Sequence, residues 1–82
     1  MMILVDIQIP AVNRICDFEL DEEIPVGEII EKAAHLAAFA EGMQVCGSDK
    51  MYLYAVQRES LLDKTLSLGQ QGIQSGETLV LF

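Results

Sequence analysis

His35 is the only histidine of the sequence, the residue type most used as a general base or a metal ligand. Proton transfer or metal ligation would also need partners held at fixed geometry. There is no second histidine, and the two thiols, Cys16 and Cys46, fall on other elements. Glu31 precedes His35 by one helical turn, as Glu28 precedes Lys32, so both pairs read as a solvated helix face. Asp21-Glu22-Glu23 is a run of carboxylates. It lacks the alternate-residue spacing and later Glu of a calcium loop. It suits the positive end of a helix that follows it. Two cysteines fall short of the four ligands of a [2Fe–2S] cluster. Cys16 alternates with Phe18 and Leu20 and reads as a small buried hydrophobe. Cys46, between Val45 and Gly47, has no nearby basic residue to lower its pKa. Ser60, Ser67 and Ser75 lack the context of a nucleophile elbow. The glycines are scattered singly or in turns and form no phosphate-binding loop. The reading is therefore of no catalytic residue, no cofactor and no metal.

The elements that would have to position any site come from periodicity. Val5, Ile7 and Ile9 alternate with Asp6 and Gln8, and Cys16, Phe18 and Leu20 alternate with Ile15, Asp17 and Glu19. Period two marks two strands with one buried face each. Pro10-Ala11-Val12-Asn13 joins them as a hairpin. From Val26 the period becomes helical, with Val26, Ile29, Ile30, Ala33, Ala37 and Ala40 on one stripe and Leu36 at its edge. The spacing predicts a helix over Val26–Glu41, with Pro25 at its first position and Gly42 as a stop. Met43–Lys50 reads as a loop and Met51–Val56 as a third strand. Gln57-Arg58-Glu59-Ser60 reads as a turn, Leu61-Leu62 as a very short edge strand, and Glu77–Phe82 as the last strand. This order predicts one α+β domain over residues 1–82, a mixed four- to five-stranded sheet with one helix on one face.

Composition bounds the partners. The net charge is −8, from thirteen acidic and five basic residues. That disfavours nucleic acid, whose phosphates need Lys and Arg, and anionic membrane surfaces. No apolar stretch approaches the roughly 20 residues of a membrane span. The start, Met1 to Asp6, has no basic region like that of a signal peptide. A cytoplasmic location with free thiols is expected.

Three blocks carry a family resemblance: the hairpin, the run Ile24-Pro25-Val26-Gly27-Glu28-Ile29-Ile30-Glu31, and the ending Gly72-Ile73-Gln74-Ser75-Gly76-Glu77-Thr78-Leu79-Val80-Leu81. Together they resemble the YukD/EsaB group of small bacterial ubiquitin-like proteins associated with type VII secretion. The resemblance implies a ubiquitin-like β-grasp fold and a cytoplasmic accessory or regulatory role in exporting small helical-hairpin substrates. It implies no catalytic residues. Ubiquitin-like modifiers and sulfur carriers use a Gly-Gly tail beyond the last strand, whereas this sequence stops at Phe82. A binding module is expected over such a carrier, and a β-grasp accessory subunit of a multicomponent enzyme is a further alternative.

In β-grasp strand order the first and last strands are central neighbours and the third lies beside the last. The out-of-phase residues Leu4, Tyr52, Tyr54, Val80 and Phe82 would then share the uncovered face, with Asp6, Asp17 and Glu19 along one side. An aromatic and aliphatic patch with a charged margin has the composition of a protein interface. Its occupant would be a protein of the secretion machinery or a second copy of the chain.

Overall fold

The structure, a computed structural model, describes residues 1–40 and 50–82, with backbone alone for residues 37–40. Strand β1 (Met2–Ile9) and strand β2 (Arg14–Asp21) form an antiparallel hairpin in unbroken register from Met2↔Asp21 to Ile9↔Arg14. Pro10 opens a single 3-10 turn, Pro10–Val12. Asn13 closes it at φ 52° and donates its N–H to the Pro10 carbonyl at 3.1 Å. Asn is among the few side chains that tolerate this left-handed conformation.

Helix α1 spans Val26–Ala40. Pro25 stands just before it rather than at its first position, and its carbonyl accepts the first intrahelical bond, from Glu28 N–H. The opening N–H groups that no helix can satisfy internally are met from elsewhere. Val26 donates to the Leu66 carbonyl at 2.9 Å and Gly27 to the Lys64 carbonyl at 3.0 Å. Val26, Ile29, Ile30, Ala33 and Ala34 are buried, while Leu36 is exposed. Burial thus extends to Ala34 and does not reach Leu36, the expected edge of the stripe. The expected helix end at Glu41, the stop at Gly42, the loop over residues 43–49 and the thiol of Cys46 lie outside the described residues, as do the side chains of Ala37 and Ala40.

Three short strands complete the sheet: β3 (Leu53–Ala55), β4 (Ser60–Leu61) and β5 (Thr78–Leu81). The order is β2-β1-β5-β3-β4. β5 lies parallel to β1 and antiparallel to β3. A parallel neighbour requires a crossover, and α1 lies in the connection between β1 and β5. The mixed five-stranded sheet and single helix form the expected α+β β-grasp arrangement. β3 is shorter than the run Met51–Val56, and β4 holds Ser60–Leu61 rather than Leu61-Leu62, whose second leucine is buried.

One core joins the helix to the inner sheet face. Ile3, Val5, Ile7 and Ile9 of β1, Leu53 and Ala55 of β3, and Leu79 and Leu81 of β5 share it with the helical stripe. Full burial of each large aliphatic side chain contributes about 1.5–3 kcal/mol. On the edge strand β2 only Leu20 is fully buried, and Cys16 and Phe18 are half-buried. The edge lies at the margin of what one helix can cover. The segment before β5 adds Leu62, Leu68 and Ile73 to the core. Ser67 and Gln70 exchange side-chain to backbone bonds at 2.9 and 3.1 Å, which fixes the turn that presents Leu68.

Candidate functional site: the uncovered sheet face

The face opposite the helix is built by pairing. In the β3–β5 register Tyr54 lies directly across from Val80. One step beyond, Tyr52 and Phe82 exchange backbone bonds at 2.7 and 3.0 Å, and their rings sit 6.4 Å apart, tilted by 37°. Tyr52 and Phe82 are exposed, and Tyr54 and Val80 are half-buried. Four of the five expected patch residues therefore form one contiguous block.

Leu4 does not join them. It is 51% exposed on the same face. The β1–β5 register, however, sets Gln8 beside Val80 and Asp6 beside Thr78. Leu4 lies four residues from Gln8, about 13 Å along the strand. Its N–H donates to Ser75 Oγ at 2.9 Å and its carbonyl accepts from Gly76 N–H at 2.7 Å. Period two fixes the face on which a residue stands; the row is set by the parallel register, which the sequence does not display.

Two residues outside the expected patch extend the block. Leu61 of β4 opposes Tyr54, and Ile15 of β2 opposes Gln8. Ile15, Gln8, Val80, Tyr54 and Leu61 thereby form a row across all five strands, with both ends exposed at 71% and 55%. Ile15 stands in the outward phase of its strand, the signal that could have found it. A two-residue strand offers no phase for Leu61. At one end Lys64 Nζ stands 4.1 Å from the centre of the Tyr52 ring, a cation–π contact.

The next row is acidic. Asp6 faces Asp17 across the hairpin, and Glu19 faces Leu4 one row further. A hydrogen bond shared with Asp17, then repulsion from its charge and slight desolvation, raise the Asp6 carboxyl above its ordinary pKa.

The side chains considered for chemistry are dispersed. His35 lines an open groove on the solvent side of α1 with Glu28, Glu31, Lys32 and Leu36. Cys16 is a free thiol on β2. Asp21 accepts the Glu23 N–H at 2.9 Å, so the carboxylate run is tied into the turn before the helix. Among the described residues no group of three or more His, Cys, Asp or Glu side chains is arranged to hold a metal. No helix of the described residues is long and apolar enough to cross a membrane.

Over residues 4–81 the sequence matches the family described as WXG100 protein secretion system (Wss), protein YukD. No curated protein matches it. Among solved structures, the EccD5 ubiquitin-like domain from Mycobacterium xenopi superposes with a TM-score of 0.78 at 19% identity, covering 100% of this chain and 93% of that one. Caldiarchaeum subterraneum ubiquitin gives 0.74 at 19% identity, over 99% and 91% of the two chains. A chain of the toluene 4-monooxygenase HD complex gives 0.81 at 12% identity, over 99% and 96%. At such identities the superpositions establish the fold alone.

Proposed function

The chain belongs to the YukD family of the WXG100 protein secretion system, and from that membership we propose that it is a non-catalytic protein-interaction module of the secretion machinery. In this reading residues 1–82 act as one ubiquitin-like domain in the cytoplasm. The domain binds a protein component of the apparatus in an accessory or regulatory role and needs no cofactor or metal. The docking surface is the uncovered sheet face, with Tyr52, Tyr54, Val80 and Phe82 at its centre and Leu4 as an outlying contact.

The observation that supports this most is the block Val80–Tyr54–Leu61 with Tyr52 and Phe82 beside it. Contiguous apolar surface is uncommon on monomers and marks interaction sites. Tyrosine suits such a surface, since its ring is buried by a partner while its hydroxyl keeps a hydrogen bond.

The test is the double variant Tyr54→Ser, Val80→Ser. Circular dichroism first establishes that it folds. The folded variant is expected to lose co-purification with secretion-machinery components or, if the occupant is a second copy, to lose self-association. Unchanged pull-down together with unchanged oligomeric state would remove this face as the functional surface.

A further inference from the structure

The charge pattern of the face narrows the occupant. Asp6 and Asp17 stand directly opposite each other, one row from Val80 and Gln8. Outward residues of successive rows are about 7 Å apart along a strand. Like charges directly opposite across a strand pair are unfavourable on their own. A guanidinium bridging both carboxylates would replace that repulsion with two charge-assisted hydrogen bonds. Glu19 continues the acidic margin beyond Asp17. On the other flank Lys64 is engaged over Tyr52. The face therefore has polarity: an apolar centre, an acidic side over β1 and β2, and a cation over β3.

Resting on the reading that this face is a docking surface, we propose that its occupant is a segment of a partner protein with apolar side chains on one ridge and Lys or Arg along one flank. The apolar ridge lies on Val80, Tyr54 and Leu61, and the basic flank lies on Asp6, Asp17 and Glu19. A second copy of the chain is disfavoured as occupant, because each copy carries a net charge of −8, and like-charged chains repel on approach. The same field accelerates encounter with a basic partner and weakens with salt.

The probe is a pair of amphipathic helical peptides with an identical leucine ridge, one flanked by arginines and the other by glutamates. Each is titrated into the ¹⁵N-labelled full chain while amide shifts are followed. The arginine-flanked peptide is expected to shift Asp6, Asp17, Tyr54 and Val80 and to bind more tightly than its glutamate twin. Its affinity should fall with added salt. The variant Asp6→Asn, Asp17→Asn should weaken it by about 2- to 30-fold, two exposed ion pairs at about 1.4- to 5-fold each, and flatten the salt dependence.

Equal shifts from both peptides, with no loss in the Asn variant, would overturn the basic-flank inference and leave the docking face standing. Concentration-dependent shifts of Tyr54 and Val80 in the protein alone would make a second copy the occupant and overturn it too. If neither peptide moves the face, the inference also fails. The docking face itself is then decided by the Tyr54→Ser, Val80→Ser test, which does not depend on the peptides.

Discussion

Arg58 ties its own turn to the segment 72–77, fourteen to nineteen residues further along the chain. Its Nε and Nη2 donate to the two carboxylate oxygens of Glu77 at 3.1 and 3.0 Å, and Nη2 also donates to the Gly72 carbonyl. Gly72 has φ +75°, and a side chain there would start 3.4 Å from the guanidinium. Burial pushes the Glu77 carboxyl up, but the Arg58 hydrogen bonds, the Gln74 N–H and the Arg58 charge outweigh it and hold its pKa below the ordinary value. A carboxylate held low stabilises the fold above its unfolded pKa, and that contribution is lost as pH falls through the folded pKa. Arg58→Ala is therefore expected to cost about 1 kcal/mol at pH 7, a charge-assisted pair discounted for partial exposure. The loss should shrink at an acid pH below the folded pKa of Glu77, where its carboxyl is protonated in both proteins. Urea denaturation at the two pH values measures it, and an equal loss at both would show that the ion pair contributes nothing. None of this was legible in the sequence. Arg58 read as part of a polar turn and Glu77 as the start of a strand, and nothing local links positions nineteen residues apart.

The strands and helix were legible where the apolar period ran long enough. β1 and β2 are legible in the right phase, because five and six alternating residues, 5–9 and 15–20, leave one choice of buried face. The final strand emerged for the same reason: Leu79 and Leu81 are fully buried, and Val80 is half-buried on the other face. Leu79→Ala should cost about 2–5 kcal/mol, as for core leucines generally, and Val80→Ala under about 1 kcal/mol. Paired denaturation curves check this, and equal losses would mean that the register is wrong. Where tertiary contacts set the conformation, the sequence misled. Pro25 sits before the helix because the 64–66 segment caps the first turn. Gln71 bonds to both the N–H and the carbonyl of Asp63 at 2.7 and 3.0 Å, closing a turn across eight residues that no local pattern displays. The patch is legible as a face and not as a row: period two puts Leu4 and Ile15 on that face, the parallel register alone separates Leu4 from the row, and a two-residue strand gives Leu61 no phase.

At the scale of the whole molecule, one helix among the described residues covers one side of a five-stranded sheet, and the residues of the other side are half-buried or exposed. The covered side accounts for stability. The uncovered side holds the aromatic pair, the row that crosses the sheet through Gln8 and the carboxylates, none of which belongs to the buried core cluster. A chain of −8 net charge gains solubility from its acids, but solubility does not require exposed aromatics to cluster. The family assigns the chain to a secretion system, and the proposed docking on that face would be its contribution there. The most direct measurement is export of small helical-hairpin substrates from cells lacking this chain and resupplied with variants of it. The wild-type chain and Glu31→Gln, on the solvent side of the helix, should restore export. Tyr54→Ser, Val80→Ser, folded and present at the same level, should not. Full restoration of export by the folded double variant would contradict the account.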